Sequence, residues 1–209
     1  MEAVPAPLVV VVMGVSSSGK STLGSALAAR LGVPFLEGDA LHSPENVHKM
    51  AAGRPLTDED REPWLAALAD RIRQWADADR GGVVTCSALK RAYRDRLRRT
   101  GARIWFLELD LAPEVAARRI AARTGHFMPP GLLDSQYATL EPLAADEPGT
   151  RVSAAGSAAR TLAAATEALA HGPARTDPDA RLRSPSRDPR SSVGEDGPGP
   201  AAAPGRDSG

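Results

Sequence analysis

The stretch GVSSSGKST, residues 14–22, is poor in side-chain bulk and ends on a lysine and two hydroxyls. Its spacing is Gly14, four residues, then Gly19, Lys20 and Ser21, and that spacing has a defined chemistry. Glycines let the main chain curl around an anion with successive N–H groups pointing inward, and a helix starting after Gly19 adds its positive dipole end. Lys20 then supplies a mobile positive charge to the outer phosphates of a nucleotide, the Ser21 hydroxyl is a ligand for Mg²⁺, and Thr22 lies one residue deeper, near an α phosphate. The candidate phosphate cradle is therefore Gly14, Val15, Ser16, Ser17, Ser18, Gly19, Lys20, Ser21 and Thr22. A flexible Gly/Ser turn matching the pattern by chance would lack a flanking strand and helix; LVVVVM precedes this one and LGSALAARL follows it.

A second group of reactive side chains follows. EGDALHSPENVHKM carries Asp39, His42, Asn46, His48 and Lys49, and GRPLTDEDREPW carries Asp58, Asp60 and Arg61. Taken alone, Asp39 is a turn aspartate. Beside a phosphate loop, and directly after a strand and Gly38, it is placed to orient or deprotonate an attacking hydroxyl, the work a small-molecule kinase requires. His42 and His48 have neither cysteine partners nor an H-E-x-x-H spacing, so they read as substrate-contact or surface residues rather than zinc ligands. Arg61 falls in the first turn of a helix, where the dipole disfavours a cation, which points to a ligand role. The chain has no N-K-x-D guanine signature, and among its apolar strands only LELD ends on a clear aspartate, Asp110.

The elements that must position these groups alternate between strand and helix. Residues 8–12 form a β-branched run suited to a strand covered on both faces. Leu23, Leu27 and Leu31 recur at helical spacing, with Gly32 at the expected C-cap. Residues 33–37 predict a short second strand. Thr57 and Asp60 form a capping box with Asp in place of the usual Glu or Gln, opening a long helix with the apolar stripe Trp64, Leu65, Leu68, Ile72 and Trp75. Residues 83–87 and 103–109 predict two more strands, separated by the basic helix RAYRDRLRRT, which Gly101 ends. Pro113 and Glu114 open another helix. TRVSA around Val152 gives a short last strand, and a helix with Leu162 and Leu169 facing inward follows. This alternation implies a parallel sheet with helices on both sides and ligands beyond the carboxyl ends of its strands.

Composition sets the outer bounds. At 209 residues with 42% hydrophobic residues, the chain suits one ordinary core. Its 26 basic and 26 acidic residues cancel, so no overall field draws it to nucleic acid or an anionic membrane. Its one cysteine, Cys86, excludes an intrachain disulfide, lies among apolar neighbours as a buried non-nucleophile, and fits a reducing, cytoplasmic setting. No membrane-length apolar run exists, and the N-terminus lacks the basic leader of an export signal. The expected kinase domain spans residues 1–171. From Gly172 to the end the chain is rich in Pro, Arg and Gly with only Leu182 and Val193 as large aliphatics, and is expected to be a disordered tail.

Five motifs in order, GVSSSGKST, GDALHSPENVHKM, GRPLTDEDREPW, TCSALKRAYRD and RTGHFMPPGLLDSQYATLE, resemble the gluconokinases of the small P-loop kinase group over residues 8–153. The resemblance implies an α/β P-loop fold of the shikimate-kinase and nucleoside-monophosphate-kinase type, with a five-stranded parallel sheet, helices on both faces and a lid. It implies transfer of the γ-phosphoryl group of ATP, with Mg²⁺, to the 6-hydroxyl of D-gluconate, giving 6-phospho-D-gluconate for the pentose phosphate route. It also implies a homodimer; the balanced charge and the missing apolar span, as above, point to no nucleic-acid or membrane partner.

Within that frame CSALK places Ser87 and Lys90 over the substrate pocket. A gluconate carboxylate pairs with Lys90 or Arg61, and its hydroxyls with Asp39, His42 or Gln136, with Lys49 a further substrate candidate. Arg119 and Arg123, one helical turn apart, are the expected lid arginines that reach the phosphates, so Lys20, Asp39 and Arg123 form the catalytic set. Arg96, Arg98 and Arg99 read as a solvated basic face. Two other readings compete: a kinase of the same fold for shikimate or a nucleoside monophosphate, and a nucleotide-dependent regulator that meets a partner through the tail.

Overall fold

A computed structural model describes residues 7–122 and 130–172 of the chain. Its centre is the run LVVVVM, strand β1 (Leu8–Met13), whose last five residues are all buried. The other strands are β2 (Phe35–Glu37), β3 (Gly82–Thr85), β4 (Arg103–Asp110) and β5 (Gly149–Ser153). All pairings are parallel, in the order β2-β3-β1-β4-β5, so β1 is hydrogen-bonded on both edges, with Val10 opposite Val83 on one side and Trp105 on the other.

Alternation along β1 divides the core in two. Val9, Val11 and Met13 face a layer built from Trp64, Leu65, Leu68 and Ile72 of helix α3 (Asp58–Asp77) and Tyr93 and Leu97 of α4 (Arg91–Arg98), with α2 (Pro44–Ala51) preceding them in the chain. Val10 and Val12 face Leu23 and Leu27 of α1 (Lys20–Leu31), Ala116 of α5 (Pro113–Ala121), Leu133 of α6 (Pro130–Thr139) and Ala165 of α7 (Ala158–His171). Helices thus cover both faces of a five-stranded parallel sheet, the expected architecture.

Local chemistry explains most boundaries. Gly32 takes the left-handed conformation that closes α1. At α3, Thr57 Oγ1 accepts from the Asp60 N–H at 3.2 Å and Asp60 Oδ2 accepts from the Thr57 N–H at 2.7 Å, the anticipated capping box. The hydrogen bond from Lys49, then that from the Thr57 amide, holds the Asp60 carboxyl at about 2.

Some expectations shift. β2 starts at Phe35 rather than residue 33, because Pro34 has no N–H for the ladder. β3 ends at Thr85 rather than residue 87, because the chain turns at Ala88, which has a φ of 42°. Leu31 is 44% exposed, leaving Leu23 and Leu27 to form the buried stripe. Short α2 and α6, and a 3₁₀ turn over Gly38–Leu41, were not anticipated. Among the residues of α2 only Asn46 is buried, so no apolar stripe announces that helix; Ser43 caps it and Pro44 opens it.

By its internal contacts the chain divides into units Met1–Arg175 and Thr176–Gly209. The expected disordered tail lies outside the described residues, beyond Gly172, and so do residues 123–129, part of the expected lid. Among the described residues no helix is long and apolar enough to cross a membrane.

The layer under α3 carries much of the stability. Truncating the fully buried Ile72 to alanine is expected to cost about 2–5 kcal/mol in urea denaturation, through lost burial and a residual cavity.

Candidate active site

Three loops meet at the carboxyl ends of β1, β2 and β3. The Gly14 N–H donates to Ser87 O at 3.3 Å, tying the phosphate loop to the turn after β3. The Gly38 N–H donates to Thr85 Oγ1 at 3.1 Å, and that hydroxyl donates to the Glu37 carboxylate. Gly38 allows this approach: a Cβ there would lie 2.0 Å from Thr85 O. Trp64 Nε1 donates to Gly38 O at 2.8 Å, so α3 fixes the turn that presents Asp39.

In the phosphate loop, Gly19 has a φ of 98° and gives α1 no side-chain cap, leaving the helix start to its backbone amides. Lys20 is nearly buried, with Nζ 3.0 Å from Val15 O, and Ser21 lies exposed in the first helical turn.

The loop is a wall shared by two cavities. One, of about 80 Å³, is lined by Ser16, Lys20, Asp39, His42, Arg61, Ser87 and Gln136, together with Met50, Pro55, Leu56, Trp64, Leu89, Leu132 and Ser135. The other, of about 290 Å³, is lined by Ser17, Ser18, Gly19, Thr22 and Arg119, with Ala154, Gly156, Ala158 and Thr161 opposite. Arg119 bridges that cavity, donating to Ala154 O at 2.6 Å and, more weakly, to Ser17 O at 3.4 Å.

Seven of the sequence-selected residues thus meet in the smaller cavity. Gln136 closes it from α6: the Ser16 N–H donates to its Oε1 at 2.7 Å, and its Nε2 donates to Ser16 Oγ at 3.2 Å. Arg61 rests its guanidinium against Leu56 O at 2.6 Å and over the Tyr93 ring at 5.8 Å, which offsets its poor position in the helix dipole. Lys49 and Lys90 do not line the cavity. Lys49 pairs with Asp60, and Lys90 bonds both oxygens of Asp58 at 2.8 and 2.7 Å. Arg123 lies outside the described residues. His48 is exposed, and among the described residues no cluster of three or more His, Cys, Asp or Glu side chains forms a metal site.

Sequence reasoning missed two contributors. Trp64 appeared only as part of a core stripe, yet its ring stacks on His42 at 4.4 Å and 15°. Arg94 appeared as one of a run of basic residues, whereas it is buried. Its spacing from Tyr93 and Leu97, both on the apolar face of α4, was the available signal.

Burial lowers the pKa of His42; the charge of Asp39 opposes the shift and that of Arg61 adds to it. Its Nδ1 is buried with no hydrogen-bond partner, so a second ring proton has no acceptor there. The folded state therefore takes up this proton at lower pH than the unfolded chain, and stability declines as pH drops from about 6.5, the unfolded value, toward the lower folded value. Urea denaturation at pH 7.5 and 5.5 is expected to show a smaller loss for His42→Gln than for the wild type. Cys86 is fully buried, and its thiol is pushed up to about 12 by that burial. It is expected to resist iodoacetamide at pH 8 in the folded protein and to react once urea exposes it, as read by mass spectrometry.

Comparison with known proteins places this geometry in a family. A family model described as an AAA domain matches residues 9–143. The gluconokinase of Gluconobacter oxydans (strain 621H) is 54% identical over 147 residues, covering 70% of this chain and 83% of that protein. A gluconokinase crystal structure from Sinorhizobium meliloti 1021 superposes with a TM-score of 0.71 at 47% identity, covering 80% of this chain and 94% of that one. A sugar kinase from Janibacter sp. HTCC2649 superposes with a TM-score of 0.75 at 48% identity, covering 81% and 98%. With the phosphate loop, Asp39 and Arg61 converging in one cleft, and relatives this similar over most of their lengths, the chain belongs to the gluconokinase family.

Proposed function

We propose that the protein transfers the γ-phosphoryl group of ATP to the 6-hydroxyl of D-gluconate, forming ADP and 6-phospho-D-gluconate, a pentose phosphate route intermediate. The observation that carries this reading is that Lys20 of the phosphate loop and Asp39 line one small cleft backed by a guanidinium, Arg61. A kinase acting on a hydroxy acid needs those three functions side by side: a cation for the phosphates, a carboxylate for the hydroxyl and a cation for the acid.

In this reading the larger cavity takes the nucleoside end of ATP, along Thr22, Arg119 and the 154–161 segment. The phosphates follow the amides of residues 14–22 into the smaller cleft. Arg61 receives the gluconate carboxylate, and His42, Ser87 and Gln136 offer hydrogen bonds to its hydroxyls. Asp39 accepts the proton of the 6-hydroxyl as the new O–P bond forms and the bond to the β-phosphate oxygen breaks, and the proton later passes to solvent. Lys20 and the start of α1 spread the charge that develops on the transferring group. The Ser21 hydroxyl, exposed in the first turn of α1, would hold a Mg²⁺ ion, which would supply charge neutralisation.

A coupled assay with ATP, Mg²⁺ and a panel of gluconate, shikimate and nucleoside monophosphates is expected to show ADP release with gluconate alone; a preference for another acceptor would overturn the assignment. Lys20→Ala is expected to lower kcat by about 10²- to 10³-fold, and Asp39→Asn by about 10²- to 10⁴-fold. Circular dichroism should show both variants folded.

A further inference from the structure

Arg94 is an ion-pair partner shielded from solvent: its side chain is 1% exposed and that of Glu147 is 0%. Nε donates to Glu147 Oε1 at 2.6 Å and Nη2 to Oε2 at 2.7 Å. Nη1 donates to the carbonyls of Glu141 at 2.9 Å, Ala88 at 3.1 Å and, more weakly, Leu89 at 3.4 Å. Glu147 Oε2 also accepts from the Ala144 N–H at 3.0 Å.

A buried pair of this kind adds little net stability, because desolvating two charges offsets their attraction, and apolar replacements are often as stable. Geometry is what it provides. The two carbonyls after β3 belong to a turn in which Ala88, fully buried, holds a φ of 42°, a conformation costly for a residue with a Cβ. On either side of Ala88, Ser87 and Leu89 line the acceptor cleft, and Ser87 O receives the Gly14 N–H of the phosphate loop. The third carbonyl, Glu141, follows α6, which carries Gln136, and the Glu141 N–H donates to Leu89 O at 2.8 Å. One guanidinium therefore joins the turn after β3, its link to the phosphate loop and the segment behind α6.

We propose that Arg94, oriented by Glu147, is a positioning residue for phosphoryl transfer: it holds the strained 87–89 turn in register with the phosphate loop while touching no substrate. The proposal rests on the reading of the smaller cleft as the gluconate site. A displacement of about 1 Å at reacting groups costs on the order of 10²-fold in rate, so loss of this grip is visible in kinetics.

Two variants separate positioning from stability. Arg94→Met with Glu147→Leu removes both charges, and Arg94→Lys keeps a charge opposite Glu147 without the planar fork that reaches the carbonyls. Both are expected to melt within a few degrees of wild type, to bind MgATP within about twofold in calorimetry, and to lose at least about tenfold in kcat/KM for gluconate. Wild-type gluconate kinetics in a folded double variant would overturn the proposal. So would failure of both variants to fold, which would make the pair a stabilising element. Wild-type protein without gluconate-dependent turnover would instead overturn the reading of the cleft, a separate result.

Discussion

β1 is buried on both faces and paired on both edges, and the site depends on that constraint. A strand so enclosed has no freedom to shift, because a one-residue slip would drive Val10 and Val12 into the layer built for Val9 and Val11. Its carboxyl end is therefore a fixed point. The phosphate loop begins there, and the ends of β2 and β3 are brought beside it by the same parallel register. Polar groups at that rim are held in turn by backbone contacts: Gly14 on Ser87, Gly38 on Thr85, Trp64 on Gly38.

The electrostatics follow from this arrangement. α1 opens on a glycine that offers no side-chain acceptor, so the partial positive charge of its first turn is directed at whatever the loop holds. His42 stays neutral through burial, stacked on an indole. It presents a hydrogen-bonding edge without a net charge beside Asp39 and Arg61. The cleft's lining thus combines charged and uncharged hydrogen-bonding groups with Met50, Leu56, Leu89 and Leu132, the mixture that orients a small polar ligand by a few groups.

What the chain betrayed before folding was local. The β-branched run of β1, the Thr57 and Asp60 box and the left-handed Gly32 each depend on neighbours within a few residues, and each was readable. The short α2 was not, because polar residues dominate it and its stability comes from Ser43, Pro44 and tertiary contacts such as Asn46 Nδ2 donating to Asp60 O at 2.6 Å. The partners of Lys90 and Arg94 were equally hidden. Asp58 and Glu147 are distant in sequence, and only the fold decides whether a cation meets a substrate or a carboxylate of its own chain. The phosphate loop, Asp39, His42, Arg61, Ser87 and Gln136 were legible by contrast, since they fall at strand ends or in motifs that topology must bring to one rim.

The pairing of Lys49 with Asp60 and of Lys90 with Asp58 has a consequence for molecular choice. It leaves Lys20 and Arg61 as the cations on the described walls of the cleft, and Lys20 belongs to the phosphate loop. One guanidinium balances one anionic end. On the reading proposed above, a monoacid satisfies that tally, whereas a diacid, or a sugar acid already carrying phosphate, brings a further negative charge that no other side-chain cation on those described walls meets.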